Sequence, residues 1–410
     1  MKKYIVPVLF FVAVLAAGLL LRKYTYIWQA NLSLFVATPD YFERLFSEPF
    51  PVTRLCRNFV LQFFGIHPVG PIVVAVLLTL LLLVLTALMR RLALIAPLRR
   101  IFGGGSGLLT PLAACIILAL YLGSALTPGA RRTELHSKVL VSSRNHDWKT
   151  LVKVLTPERC ASDRDLLPFA LLAQQEEGRL NDVLFRYPVE SVRDLDYRGS
   201  NLVEGFFFDS VLAECLQLPN EAIHSIFQLS TGLPFGTCFL SLHSLVRNNL
   251  AKGDYRLAEK YLRILARSPR YSSSANKLLE QLGSSLQEDA LHLADGRLQD
   301  EPVSESAIAP MISKNPIMNL TATLGLGRGG RSAEDRMIAY QLLDRNPSFV
   351  QMMLPLLQAR GGRLPRHCQE ALNIAGGTAL PDDSAFMRYM ASGPAAENAT
   401  EEETEEIAPN

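Results

Sequence analysis

The amino-acid sequence predicts an all-α protein in which three transmembrane helices are followed by a tetratricopeptide-like α-solenoid. Three observations predict this fold class. Long uncharged apolar runs are confined to residues 1–126. Beyond them, apolar residues recur at helical spacing with no convincing alternating strand, and turn signals divide this part of the chain into units of similar length.

The first predicted transmembrane span comprises residues 1–21, with an apolar run that begins at Ile5. At about 1.5 Å rise per residue, this run is near the short limit for a hydrocarbon core of about 30 Å. A cleaved signal peptide would have the same basic start and apolar core. Because leucines rather than polar residues follow Gly18, the sequence favours a retained anchor.

Residues 71–126 contain the other two predicted spans. The first runs from Pro71 to Met89 without a charge, and the second begins near Leu108. The connector between them, residues 90–107, holds arginines and no acid, so the positive-inside rule places it in the cytoplasm. This topology predicts a multi-pass protein of the cell (inner) membrane whose helical domain is extracytoplasmic.

The loop at residues 22–70 is amphipathic and rich in aromatic side chains. Such stretches lie in the membrane interface or pack on neighbouring spans. Both interpretations stay open: a lid of packing helices, or a surface that binds lipid or a lipid-linked substrate. The aromatic residues that would form such a surface include Phe42, Phe46, Phe63 and Phe64.

Residues 131–300 are predicted to form tetratricopeptide-like helical repeats. Turn signals at Asp147, Gly178, Pro219 and Gly253 are about 32, 40 and 34 residues apart, close to the ~34-residue period of such repeats. One repeat cannot bury its apolar face alone, so its neighbours must stack on it. The sequence therefore predicts an open stack of helix pairs.

The unit that follows the last of these turns shows the repeat pattern most clearly. Ala258 allows two helices to approach closely, and Pro269 ends the second one. Tyr255 lies over the groove between them, and Tyr255 and Tyr261 are candidate partner-binding residues. The predicted buried stripe of this helix consists of Leu257, Tyr261, Leu262 and Leu265.

Helical spacing continues beyond residue 300. Residues 301–380 contain two further apolar runs at this spacing, MIAYQLL and FVQMMLPLLQ. Residues 391–410 are acidic and poor in apolar side chains, so they are predicted to form a disordered tail.

Charge and cysteine content argue against several classes of function. Lys+Arg (41) and Asp+Glu (39) nearly cancel, so the chain lacks the large basic field that nucleic-acid binding needs. The six cysteines are scattered without a CxxC motif. This pattern predicts buried thiols rather than a disulfide framework or a zinc site. We expect no metal, no cofactor and no nucleic acid.

Two motifs are candidate sites of chemistry. The GxGxxG string at residues 325–330 lacks the following strands that a dinucleotide site needs, so an interhelical turn is expected. The densest polar cluster is Arg366, His367 and Glu370, next to Cys368. Sequential neighbours on a helix point apart, which argues against a Cys–His catalytic pair. We therefore expect a structural or partner-binding role there, and no enzyme.

Several segments resemble an uncharacterised family of Bacteroidetes multi-pass membrane proteins, a domain of unknown function. In the amino-terminal part they are NLSLFVATPDYFERLF and FVLQFFGIHPVGP, and in the carboxy-terminal part HDWKTLVKVL, GDYRLAEKYLRIL and LPRHCQEAL. The resemblance implies membrane spans followed by a tetratricopeptide-like helical domain. It implies no known activity and no catalytic residues.

Repeat helices tethered to membrane spans, without a catalytic constellation, predict a membrane-anchored scaffold. Its expected partners are the lipid bilayer and a protein or peptide on the solenoid surface. The alternative is an accessory component of an envelope lipid or glycan biosynthesis or transport pathway. Ionisable residues inside spans mark such pathways, and the apolar runs of the three spans, from Ile5, Pro71 and Leu108 onward, contain no Asp, Glu, Lys, Arg or His. This alternative therefore ranks second.

Overall fold

The computed structural model describes residues 2–92, 109–233, 236–294, 320–359, 361–377 and 384–392, apart from single positions at 322, 325, 326, 328 and 362. Within these residues every regular element is a helix, which confirms the all-α prediction. The chain forms two compact units. The first comprises Met1–Val141, Thr237–His243 and Glu259–Leu282, and the second comprises Ser142–Gly236, Ser244–Ala258 and Gly283–Asn410.

Seven helices form most of the first unit, and the last of them continues into the second. They are α1 (Lys2–Leu21), α2 (Lys23–Asn31), α3 (Pro39–Ser47), α4 (Pro51–Leu61), α5 (Val69–Leu92), α6 (Leu109–Leu126) and α7 (Pro128–Arg144).

Helices α1, α5 and α6 pack together as the apolar core of the first unit. Small residues allow close approach: a Cβ at Gly18 would lie 3.1 Å from the Cβ of Pro71. Away from this core, large apolar side chains such as Leu20, Val84 and Leu120 are exposed. Helices that are apolar all round suit burial in a larger core or in lipid. The buried residues between the helices are Phe10, Val14, Ala75, Leu82 and Ala114.

By length and composition, the segment Val69–Met89 could cross a membrane as one helix. Ile5–Leu21 is long enough to cross a membrane only if it is counted together with Lys23–Asn31, and the two helices are bent by 73° relative to each other. Thr110–Leu126 likewise needs Pro128–Arg144, at a bend of 61°. The described residues therefore contain one to three candidate spans, and the expectation of three stays a prediction.

Helices α3 and α4 occupy the aromatic-rich loop. The Thr38 hydroxyl caps α3 by accepting the Tyr41 N–H at 3.3 Å, and each helix begins with a proline, which has no N–H to leave unsatisfied. Phe35 makes edge-to-face contacts with Tyr41, at 5.6 Å between ring centroids, and with Phe59, at 5.3 Å. This aromatic contact links the two helices.

The remaining helices belong to the second unit. Three of them, α14, α15 and α16, also contribute residues to the first unit. They are α8 (Trp148–Val154), α9 (Pro157–Ser162), α10 (Leu167–Glu176), α11 (Leu180–Val183), α12 (Leu202–Cys215), α13 (Pro219–Thr231), α14 (Phe239–Lys252), α15 (Tyr255–Ala266), α16 (Ser272–Ala294), α17 (Gly330–Leu343), α18 (Pro347–Ala359), α19 (Arg366–Ala375) and α20 (Ala385–Ala391).

The turn signals read from the sequence coincide with helix starts. Asp147 caps α8 by accepting the Thr150 N–H at 3.2 Å, and Pro219 is the first residue of α13. Gly178 and Gly253 have left-handed backbone conformations, with φ of 65° and 78°. Between α11 and α12, however, the chain forms two short 3₁₀-helices, Leu184–Arg186 and Val192–Leu195, instead of a regular helix pair. The tetratricopeptide-like arrangement stays a prediction.

Helix α10 lies at the centre of the second unit. All nine of its residues from Leu167 to Gln175 are buried, and it packs against α8, α11, α12 and α17. The Phe169 ring contacts Phe208 on α12 edge-to-face at 5.1 Å between centroids. Burial on every side explains why this helix shows no amphipathic pattern.

The predicted stripe on α15 is wrong at one position. Leu262 and Leu265 are buried, but Leu257 is 38 % exposed. At about 100° per residue, Leu257 points about 140° away from Leu262, and Ala258 takes the buried position instead. The small side chain of Ala258 thus faces the core.

The prediction of buried thiols is wrong for two of the six cysteines. All six are free: Cys160, Cys238 and Cys368 are buried, Cys215 is half-buried, and Cys56 and Cys115 are exposed. Cys115 lies on the apolar helix α6, where an exposed position can face lipid.

Several sequence predictions fall outside the described residues. They concern the basic connector from residue 93 onward, the beginning of the further helical region at 301–319 and the acidic tail from residue 393. The glycine-rich string is described only in part. Gly327 and Gly329 have left-handed φ values of 68° and 71°, and Gly330 begins α17.

Candidate functional site

A pocket of about 290 Å³ lies in the second unit, where the chain before α10 meets the chain between α11 and α12. We call it the charged pocket, because three arginines and four acids line most of it. These residues are Arg164, Asp165, Glu190, Arg193, Asp194, Asp196 and Arg198.

An ion-pair network orders one wall of the charged pocket. The Arg164 guanidinium donates to Asp194 Oδ1 at 2.9 Å and pairs with Glu190. The other oxygen of Asp194 accepts the backbone N–H of Ser191 at 3.0 Å and of Glu190 at 2.6 Å. Asp194 therefore fixes both the Arg164 side chain and the start of the 3₁₀-helix Val192–Leu195.

Arg336 on α17 forms hydrogen bonds with residues 195 and 196, next to this wall of the charged pocket. Its buried guanidinium donates to the Leu195 carbonyl at 2.7 Å and to Asp196 Oδ1 at 2.8 Å. It also donates to Gln175 Oε1 on α10, at 3.3 Å. Hydrogen bonds to a buried charge are directional and strong, so they fix the position of Asp196 at the pocket.

Gly199 leaves space that any other residue would fill. A Cβ at this position would clash with Tyr197 Oη and would lie 2.8 Å from Asp165 Oδ1. The Tyr197 hydroxyl donates to Glu204 Oε2 at 3.2 Å, and its ring lies edge-to-face on Phe169. The shape of the pocket therefore depends on the missing side chain of Gly199.

Arg198 differs from the other arginines of the charged pocket. It is exposed and makes no hydrogen bond or ion pair with another described residue. Arg164, by contrast, forms ion pairs with Asp194 and Glu190. Arg198 is thus a guanidinium available to a ligand or partner.

The polar cluster predicted on LPRHCQEAL forms the start of α19. His367 Nδ1 lies 2.7 Å from Glu370 Oε2, and Arg366 Nε donates to Glu370 Oε1 at 3.1 Å. The Arg366 backbone N–H donates to Asp182 Oδ1 at 2.7 Å, which joins α19 to α11. His367 is only 2 % exposed, and its ring packs edge-to-face on the Phe185 ring with 4.9 Å between the ring centroids.

Burial makes this cluster structural in character. Burial lowers the pKa of His367, although the hydrogen bond and charge of Glu370 oppose the effect. Of the predicted partner-binding residues here, only Arg366 is exposed. Tyr255 and Tyr261, the other two, are half-buried on α15, and neither lines the charged pocket. A partner-binding role for all five stays a prediction.

A second buried polar cluster surrounds Glu214 on α12. Its carboxylate accepts from the Ser244 hydroxyl at 3.1 Å and from the Asn248 amide at 2.8 Å, and it pairs with Arg247. His146 Nε2 lies 3.5 Å away. Burial, followed by the nearby Arg247 charge, lowers the pKa of His146. The hydrogen bonds from Ser244 and Asn248 to Glu214 join α14 to α12.

The amino-acid sequence does not predict the charged pocket. Its arginines and acids are spread over residues 164–198. Ion pairs such as Arg164–Asp194 form only when the chain folds. One signal was present: residues 186–200 lack helical periodicity inside an otherwise helical region. Such a break marks an irregular segment, and irregular segments carry binding residues disproportionately often.

The model of one protein family, described as "Family of unknown function (DUF6057)", matches residues 1–127 and 106–400. These matches include the segments on which the resemblance to an uncharacterised family rests. No curated protein and no solved structure matches the chain.

Proposed function

The chain belongs to the DUF6057 family of unknown function, and from this premise we propose that it is a membrane-anchored helical scaffold that binds a protein or peptide partner. The multi-pass anchor in the cell (inner) membrane, the extracytoplasmic side of the second unit, its tetratricopeptide-like repeats and the kinship with Bacteroidetes membrane proteins are parts of this proposal.

The charged pocket carries the proposal. Its volume, about 290 Å³, is at the lower end of small-molecule sites, which are usually lined by apolar and aromatic side chains. A lining of opposite charges suits one or two polar side chains of a partner instead. Arg198 would pair with a carboxylate of the partner, because a guanidinium presents a fork of donors that matches a carboxylate.

The apolar helices of the first unit support the membrane part of the proposal. Exposed leucines and valines on α1, α5 and α6 would be unfavourable in water and favourable in acyl chains. Anchoring confines the second unit to the membrane surface, which raises its effective concentration beside a partner in the same membrane.

Site-specific photo-cross-linking in native membranes tests the proposal. A photoreactive residue at Ser200, which is exposed two residues from Arg198, is expected to give a discrete cross-linked protein, whereas one at Phe227, exposed on α13, is not. The cross-link should weaken in Arg198→Ala, because this change removes the guanidinium that pairs with the partner. Identical products at both positions, or none at position 200, would contradict the proposal.

The alternative, an accessory role in an envelope lipid or glycan pathway, draws on the aromatic loop. Of the four phenylalanines that would handle a lipid-linked substrate, Phe46 is exposed, Phe42 and Phe63 are half-buried, and Phe64 is buried. Alanine at all four positions should change the envelope lipid profile if the alternative holds. An unchanged profile would remove it.

A further inference from the structure

Helices α3 and α4 carry an apolar surface that stays exposed among the described residues of the first unit. Its side chains come from the end of α3, the turn and one face of α4. Their exposed fractions are 59 % for Phe46, 79 % for Phe50, 64 % for Val52 and 42 % for Phe59. We call these four residues the apolar edge.

The apolar edge is held rigidly in this orientation. Val52 and Phe59 lie within about 20° of each other on α4, and Cys56, also exposed, is on the same face. About 100° around α4 from Phe59, the buried Asn58 donates to the Tyr41 hydroxyl at 2.9 Å, and Leu45 on α3 is fully buried. Turning the edge inward would break this hydrogen bond and expose Leu45.

The position of the edge along the chain indicates what covers it. Helix α4 ends at Leu61, and α5, the clearest candidate span, begins at Val69. The intervening Phe64 packs edge-to-face on Tyr26 at 5.3 Å, and the Tyr26 hydroxyl lies 3.0 Å from that of Tyr121 near the end of α6. The hairpin is therefore fixed to the ends of the apolar helices.

From this continuity we propose that α3 and α4 lie in the membrane interface, with the apolar edge inserted into the boundary between headgroups and acyl chains. The proposal rests on the membrane anchoring in the proposed function and adds the surface through which the hairpin meets lipid. Phenylalanine is among the side chains that interfacial helices bury at this depth, where its apolar ring leaves water.

Charge contributes less than apolar insertion. Arg44 and Arg57 are exposed and unpaired among the described residues, so they can reach lipid phosphates. The Arg54 guanidinium forms an ion pair with the Glu48 carboxylate at 2.9 Å. Two acids, Asp40 and Glu43, are exposed on α3. Because these charges balance, we expect insertion into neutral phosphatidylcholine as well as into anionic membranes.

The natural thiol of Cys56 provides the reporter. The full chain with Cys115→Ala and Cys215→Ala would be labelled at Cys56 with a polarity-sensitive fluorophore and reconstituted into phosphatidylcholine vesicles. The probe should be quenched by lipids brominated near the upper part of the acyl chain and little by aqueous iodide. Replacing Phe46, Phe50 and Val52 by serine should reverse this pattern, whereas Leu202→Ser and Phe227→Ser, exposed on the second unit, should not.

Each result has one meaning. Quenching by iodide alone, in protein that stays with the vesicles after alkaline extraction, would overturn the inference and leave the membrane anchoring intact. Extraction of the protein from the vesicles would overturn both. A probe shielded from iodide and from brominated lipid would mean that a protein surface, or a second copy of the chain, covers the edge, and the inference would be wrong.

Discussion

The Arg336 guanidinium lies 2.8 Å from the Asp196 carboxylate, although 140 residues separate them in the chain. Arg336 is buried, whereas Asp196 reaches the charged pocket. This ion pair therefore ties helix α17 to the pocket, so that the carboxy-terminal part of the chain controls the geometry of a site whose lining comes from residues 164–199.

Replacement of Arg336 by methionine should destabilise the second unit by about 1–3 kcal/mol, the range for a buried polar group left unsatisfied, here the Leu195 carbonyl. Thermal unfolding of the detergent-solubilised protein measures the effect. Arg186→Ala, at an exposed position of the same unit, should change stability by less than about 0.5 kcal/mol. Equal effects of the two changes would contradict the role of Arg336.

Gly199→Ala should narrow the charged pocket and destabilise the protein by about 1–3 kcal/mol, because its Cβ must displace Tyr197 or Asp165. Gly283→Ala is the matched control, since nothing lies within 4 Å of its Cβ in the middle of α16. That change should stabilise the helix by up to about 1 kcal/mol. Opposite shifts in the thermal midpoint are the expected result, and shifts of the same sign would be inconsistent with it.

Local features of the fold could be predicted from sequence, because they depend on neighbouring residues. Asp147 and Pro219 mark helix starts through hydrogen bonding and the missing N–H of proline, and the structure places helices there. The prediction places Leu257 on the wrong face because a stripe of apolar residues has two edges. Packing against other helices, which the sequence does not contain, decides which edge is buried.

The candidate site could not be predicted in the same way. Arg164 meets Asp194 across 30 residues, and Arg336 meets Asp196 across 140. Only tertiary structure creates these pairs. Cys115 shows the same limit in the apolar helices, because an exposed face and a packed face of an apolar helix have the same apolar pattern.

Asp335 should make stability depend on pH. Burial raises its pKa to about 6, although Arg331, with Nε 3.4 Å from the carboxylate, opposes the rise. Between about pH 4 and pH 6 the folded protein keeps a proton that the unfolded chain releases, so stability falls as pH increases through this window, by about 2–3 kcal/mol. Thermal unfolding across this range should show a smaller fall for Asp335→Asn than for the unmodified protein.

Arg331→Ala supplies the matched variant for this pH dependence. Loss of its positive charge should raise the pKa of Asp335 further and extend the fall in stability to higher pH. Parallel stability curves for the unmodified protein, Asp335→Asn and Arg331→Ala would show that Asp335 does not carry the effect.

Glu134 on α7 should stabilise the first unit by capping α2. Its two carboxylate oxygens accept the backbone N–H groups of Tyr24 and Thr25 at 2.8 and 2.9 Å, and the Thr25 hydroxyl adds a third hydrogen bond at 2.7 Å. These N–H groups have no acceptor within α2, and a negative charge is favourable at a helix amino terminus. Glu134→Ala should therefore cost about 2 kcal/mol and speed hydrogen exchange of the α2 amides. Glu134→Gln should have an intermediate effect, and Glu43→Ala, at an exposed position of α3, almost none. Unchanged exchange at Tyr24 and Thr25 in Glu134→Ala would mean that α2 does not depend on this cap.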